Sequence, residues 1–148
     1  MTRLGLAALP ALARRPGIRL PHYDVAGLEV GIVHLGIGAF HRAHQAVFAE
    51  DCLGDGGWGI CGFTQRSAAA VHALAPQDGL YTVLEQGGPA RVVGTLREVR
   101  SAADDPEGVC ARIADPRITV VTLTVTEKGF RATADGRLAD VGAGIDRL

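Results

Sequence analysis

Lysine is all but missing from this chain: Lys128 stands alone against fourteen arginines, so any amine-based proton transfer within it rests on one side chain. Charge of one sign is also lacking, because the formal net charge is −1 with 21% charged residues. No field draws such a chain to nucleic acid. The three cysteines, Cys52, Cys61 and Cys110, are odd in number and form no C-x-x-C pair. That excludes a disulfide framework and a zinc knuckle and leaves them as buried thiols. No apolar run approaches the roughly 20 residues that span a bilayer. The N-terminal stretch to Gly17 is interrupted by Pro10 and followed by Arg14-Arg15, so it reads as a cytosolic leader helix rather than a signal peptide. A cytoplasmic protein with no membrane partner is the expectation. Internal repeats and low-complexity segments are absent.

What is present is 47% hydrophobic residues and an alternation of strand and helix signals. Val30, Ile32, Val33 and Leu35 are apolar and mostly β-branched, as expected for a parallel strand over residues 28–35 covered on both faces. A helix over 39–53 follows, with Ala43, Ala46, Val47 and Ala49 able to pack on a sheet, and the glycines of 54–57 end it. Residues 58–63 read as a second strand and 67–74 as a short helix. Residues 80–85 and 91–99 read as a pair of strands joined by "QGGPA". Asp104-Asp105-Pro106 opens a helix with an aspartate cap and proline in the first turn, Asp115-Pro116 closes it, and 118–125 is a β-branched buried strand. The pattern predicts an α/β fold of the Rossmann type, a doubly wound parallel sheet. Residues 1–27 form a leader and lead-in, and 28–148 a partial dinucleotide-binding domain.

Between the first strand and its helix lies Gly36-Ile37-Gly38. A phosphate approaches backbone only where side chains are missing. Gly36 permits the tight turn, and Gly38 lets a pyrophosphate lie at the helix N-terminus, where amides and the helix dipole favour anions. His41 occupies the place of the third glycine in the generic G-x-G-x-x-G pattern, so that fingerprint is incomplete. Glycine turns also join strands to helices in proteins with no nucleotide.

The longer string "GIGAFHRAHQ" closely resembles the start of the long-chain mannitol dehydrogenase family of polyol oxidoreductases, in which His41 is the usual departure from the glycine pattern. "WGICGF", "QDGLYT", "RVVGTLREV" and "VVTLTVTEKGF" extend the resemblance, in order, to about residue 131. The resemblance implies that Gly36, Ile37, Gly38, Ala39, Phe40, His41 and Arg42 form the cofactor-binding segment, with His41 and Arg42 beside the phosphates. It also implies that a helical C-terminal substrate domain, which carries the catalytic lysine, lies beyond this chain. The chain therefore reads as a truncated N-terminal fragment, inactive by itself, of an enzyme that transfers a hydride between NAD and a polyol or keto-sugar acid. A non-catalytic nucleotide-binding fragment is the alternative.

Cofactor choice falls to the end of the second strand, where an acidic residue would hold the ribose of NAD and an arginine the 2′-phosphate of NADP. "GFTQRSAAA" has no carboxylate there, and Arg66 can hold a phosphate or face solvent. The resemblance favours NAD, and NADP stays open. Ligands in open α/β sheets lie outside the carboxyl ends of the strands, which brings Thr126 and Glu127 near the chemistry. Thr126 is expected to touch the cofactor. In the resembled family the glutamate of the "TE-x-G-[YF]" string helps move the proton released from the alcohol, so Glu127 is the expected proton relay, against the plain reading of an ion pair with Lys128. Lys128 itself reads as a partner to the loop or phosphates. His41 and His44 are near neighbours on a helix, but no cysteine pair or acidic cluster adds ligands, and no metal is expected. His22, His34 and His72 show no partners. No tyrosine is followed four residues later by lysine, which argues against a short-chain dehydrogenase, and zinc-enzyme ligands are not arranged here. A methyltransferase would also want an acidic residue after the second strand. Hydride transfer without a metal is the expectation.

Overall fold

The computed structural model describes residues 3–55, 57–125, 133, 135 and 137. Its strands are β1 (Ile18–Arg19), β2 (Val30–Leu35), β3 (Gly59–Thr64), β4 (Tyr81–Leu84), β5 (Ala90–Val93), β6 (Leu96–Ser101) and β7 (Val120–Leu123). Its α-helices are α1 (Leu9–Leu12), α2 (Ala39–Ala43), α3 (Gln45–Asp51), α4 (Ala69–Leu74) and α5 (Pro106–Ile113). Four strands form a parallel sheet in the order β6-β3-β2-β7. The chain thus builds outward from β2 through β3 to β6, then returns to place β7 on the other side of β2. That reversal is the topological switch point of a doubly wound sheet, and in such sheets the ligand crevice lies outside the carboxyl ends of the strands that flank it, here β2 and β7.

Both faces of β2 and β3 are covered, which is why, His34 and Thr64 apart, their sequences carry no polar side chain. Ile32 and Ile60 join Ile37, Ala46, Leu74, Tyr81, Val93 and Leu96 in one core, while Val33, Cys61 and Phe63 face Val109, Ile118 and Ala102 in another. The helix α5 begins as its sequence demands: the Asp105 carboxylate accepts the Gly108 amide at 2.8 Å, with Pro106 in the first turn.

Three expectations need correction. The stretch 91–99 is two strands in two sheets, because the chain leaves β5 at Gly94 and Thr95 and enters the main sheet as β6. Gly94 donates to Glu50 Oε2 at 3.2 Å, the Thr95 hydroxyl donates to the Ala46 carbonyl at 2.9 Å, and Ile60 donates to the Thr95 carbonyl at 2.7 Å. Those bonds pin the crossover between layers. The expected helix over 39–53 breaks at His44 (φ −126°, ψ −86°), since its halves bury against different partners. His41 in α2 packs on His34 of β2, whereas Ala46 and Glu50 in α3 meet the Gly94-Thr95 crossover. Of the three thiols, Cys61 is buried, and burial pushes it up to about 12, but Cys52 and Cys110 are exposed.

A smaller sheet, β1-β5-β4, carries an antiparallel β4-β5 hairpin and a parallel β1-β5 pair. Its core of Val25, Leu80 and Val92 gathers Leu4, Leu6, Leu9, Ile18 and Leu20. The leader and lead-in residues thus pack against this hairpin. No helix among the described residues is long and apolar enough to cross a membrane.

Candidate functional site

The turn from β2 into α2 is held tightly at its start and left open at its end. Gly36 takes φ +106°, a conformation that L side chains rarely adopt, and a Cβ there would lie 3.4 Å from Thr124 Cβ beyond β7. The Gly36 and Ile37 amides both donate to the Phe63 carbonyl, at 2.8 and 3.3 Å, and the Gly38 amide donates to the Gly36 carbonyl at 2.6 Å. Ile37 is buried, and its side chain occupies the place a Cβ on Gly62 of β3 would take. A bare strand position thus seats the turn on the sheet.

Three amides remain without acceptors among the described residues, those of Ala39, Phe40 and His41 in the first turn of α2. Gly38, which caps that helix, is exposed and has ordinary extended backbone (φ −71°, ψ −176°). A Cβ on it would meet only the Gly36 carbonyl oxygen, at 3.9 Å. Neither backbone geometry nor packing among the described residues requires a glycine here. The open space above Gly38, bordered by unbonded amides, fits the pyrophosphate of a dinucleotide, and by this criterion the residues present suit that cofactor.

Beneath the turn lie two stacked imidazoles. The His34 and His41 rings are 3.7 Å apart at 14°, and both are fully buried. His34 Nδ1 lies 2.8 Å from Thr122 Oγ1, and its Nε2 lies 3.1 Å from Thr124 Oγ1 and 3.3 Å from the Gly36 carbonyl. Gln45 Nε2 donates to Thr122 Oγ1 at 3.0 Å. Neither nitrogen of His41 has a partner among the described residues. Burial, with His34 and Arg42 alongside, lowers the His41 pKa to about 3, and burial also lowers that of His34 against the opposing bond to Gly36. Both rings are neutral near pH 7.

Arg42 folds back to donate to the Ile37 carbonyl at 2.7 Å, and the Tyr81 hydroxyl of β4 donates to the Arg42 carbonyl at 2.7 Å, so α2 is tied to both the turn and the small sheet. The expected cofactor segment, Gly36 to Arg42, is one continuous turn and helix start, exposed at Gly38, Ala39 and Phe40, while the Ile37 side chain and the His41 ring face the core. His44 is exposed and stacks on Phe40, away from His41. Arg66 is exposed just past β3, with no ion pair among the described residues. Thr126, Glu127 and Lys128 lie outside the described residues. Sequence reasoning missed His34, Gln45, Tyr81, Thr122 and Thr124. One signal was available: a histidine inside an otherwise apolar buried strand needs a polar partner.

Residues 30–143 match the family model described as mannitol dehydrogenase Rossmann domain. A mannitol 2-dehydrogenase of Pyricularia oryzae is 43% identical over 121 residues, covering 76% of this chain and 24% of that protein. A polyol:NADP oxidoreductase of Gluconobacter oxydans is 37% identical over 139 residues, covering 88% of this chain and 28% of that protein. The solved structure of Pseudomonas fluorescens mannitol 2-dehydrogenase, a ternary complex with NAD and D-mannitol, superposes with a TM-score of 0.81 at 34% identity, over 93% of this chain and 30% of that one. The chain spans about a quarter of the length of the sequence relatives it matches.

Proposed function

The chain belongs to the mannitol dehydrogenase family, and on that premise we propose that it is the dinucleotide-binding part of an oxidoreductase acting on a sugar alcohol or the corresponding keto-sugar or keto-sugar acid. The observation that carries this reading is the turn at the switch point, open above Gly38 and edged by the amides of Ala39, Phe40 and His41. Gly36 and Ile37 hold the turn's shape, Arg42 braces it through the Ile37 carbonyl, and the open amides receive the pyrophosphate. A nicotinamide bound there supplies the hydride acceptor or donor.

Glu127 follows β7 in the sequence, and we assign it the proton released when a carbinol is oxidised. Thr126 beside it contacts the cofactor. NAD is the assigned cofactor, supported by the Pseudomonas complex, while Arg66 allows NADP, a choice that the Gluconobacter relative is named for. The reaction needs no metal in this reading. The 148 residues alone turn over no polyol, because the family's catalytic lysine is expected from a second domain. The assigned location is cytoplasmic.

Titration of NADH and NADPH fluorescence with the full-length gene product tests the cofactor. An assay of cofactor reduction with mannitol, sorbitol and related polyols, and of oxidation with keto-sugar acids, tests the chemistry. Cofactor binding with polyol-dependent reduction is the expected result. Binding without turnover on any of these substrates leaves a nucleotide-binding module and overturns the enzyme, and no binding overturns both.

A further inference from the structure

The buried histidine in β2 is the group whose surroundings go furthest beyond that reading. His34 and Thr122 are register partners on β2 and β7, the two strands that border the crevice. Through its two nitrogens one imidazole reaches three places: the hydroxyl of Thr122 within β7, the hydroxyl of Thr124 just beyond it, and the carbonyl of Gly36 at the start of the glycine turn. Among the described residues, backbone pairing along β2 and β7 runs as far as the Thr124 amide on the Leu35 carbonyl at 3.0 Å. Past that point the imidazole bridges the two strand ends.

The direction of these bonds follows from what each group can do. A carbonyl oxygen only accepts, so the contact with Gly36 requires a proton on Nε2. A neutral ring then presents a lone pair at Nδ1, and the Thr122 hydroxyl donates to it. The Thr122 oxygen in turn accepts from Gln45 Nε2, which brings α3 into the chain of bonds. In this arrangement the one Nε2 hydrogen is shared between the Gly36 carbonyl and the Thr124 oxygen, the Thr122 hydroxyl hydrogen goes to Nδ1 rather than to Gln45 Oε1, which lies 3.3 Å away, and successive bonds polarise one another. The opposite tautomer sets the Nε2 lone pair against the carbonyl lone pairs of Gly36. His41, stacked flat beneath at 3.7 Å with neither nitrogen partnered among the described residues, holds the ring plane without competing for its bonds. Thr124, whose oxygen accepts from Nε2, keeps its hydroxyl hydrogen for another acceptor. It is half-buried at the mouth of the crevice.

We propose that His34 is a positioning residue for the cofactor. As the neutral Nε2–H tautomer it clamps the glycine turn to the carboxyl end of β7 and directs the Thr124 hydroxyl hydrogen outward, as a donor to a cofactor oxygen. This role presupposes the dinucleotide assigned above. It predicts that two residues outside the turn, one of them buried under it, set cofactor affinity.

Two measurements on the full-length gene product test the clamp. Nitrogen-15 spectra of histidine-labelled protein, without cofactor, should show His34 as the Nε2–H tautomer at pH 7. An Nδ1–H tautomer or a charged ring overturns the bond direction whether or not a cofactor binds. In NADH titrations, His34→Leu should weaken binding about 10-fold or more, and His34→Gln, whose amide can replace the Nε2–H donor, should retain most of it. Should His34→Leu fail to fold, the exposed-side pair decides: Thr124→Val weakens NADH binding about 3- to 10-fold with an unchanged melting temperature, and Thr124→Ser restores it. Wild-type binding with no loss in Thr124→Val overturns the donor role, no loss in a folded His34→Leu overturns the clamp, and a wild type that binds neither NADH nor NADPH overturns the cofactor reading itself.

Discussion

The arm formed by α2 and α3 buries a polar group at each end, and the two ends have opposite character. At the crevice end the buried groups are His34 and His41, neutral and stacked under a turn whose last glycine faces open space. At the far end Glu50 is 4% exposed, accepts the Gly94 amide, and lies near the Arg91 guanidinium, itself buried and paired with Asp51 at 2.7 Å. Burial raises the Glu50 pKa to about 7, with Asp51 adding to the rise and the Gly94 bond, Arg91 and Arg19 opposing it. The lesson is a division of labour. Where a ligand must bind, the chain leaves amides unbonded and keeps its buried side chains uncharged. Where two sheets must be joined, it spends charge on its own backbone.

The contrast breaks most visibly if Gly38 proves structural. Gly38→Val should leave the melting temperature within a few degrees of wild type, since φ is ordinary and no side chain crowds the position, yet reduce NADH affinity by about 100-fold or more by filling the pyrophosphate's space. Gly36→Val, two residues earlier, should lose both fold and affinity because of its positive φ. Fluorescence titration alongside thermal melting separates them, and a destabilised Gly38→Val would erase the distinction between an open and a closed end of the turn.

Glu127→Gln tests whether chemistry resides at the crevice end. Cofactor binding should be nearly unchanged while the turnover number falls about 10- to 1000-fold, as for a lost proton-transfer group. A turnover number equal to that of wild type would return Glu127 to a surface ion pair.

Glu50→Gln sharpens the other side. A folded-state pKa above the unfolded value means that folding takes up a proton, so the stability attached to Glu50 is greatest below the usual carboxylate range and falls as pH rises through about 7, by up to about 3 kcal/mol. The glutamine retains an acceptor for the Gly94 amide and carries no charge. Melting curves should therefore show less loss between pH 5 and pH 8 than in wild type, with NADH affinity unaffected. Equal losses in both proteins would mean that Arg91 already neutralises the carboxylate.

The smallest effect is expected from Arg66→Ala, on the exposed rim. It should weaken NADPH about 10-fold while changing NADH little, because only the former carries a phosphate for a guanidinium to hold. Equal changes for the two cofactors would leave Arg66 to solvent.

Features governed by neighbours in the chain were legible from the residues alone. The β2 strand, the glycine turn, the break after Asp51 and the Asp105 cap all follow from local rules of periodicity, backbone freedom and capping, and the structure places them within a few residues of expectation. The split of 91–99 was not legible, because Arg91, Val92 and Val93 look no different from Leu96 and Val99 in propensity. What separates them is Glu50, more than forty residues away, drawing Gly94 out of line. The His34 clamp was hidden for the same reason.

Sequence by itself determined the strand, turn and helix at the site and the family that they belong to, since each depends on residues adjacent in the chain. Only the tertiary structure decided which turn amides stay open, which way the His41 ring faces, and what His34 holds. A hydrogen-bond partner across a sheet is chosen by the register of strands almost ninety residues apart, and no local pattern encodes it.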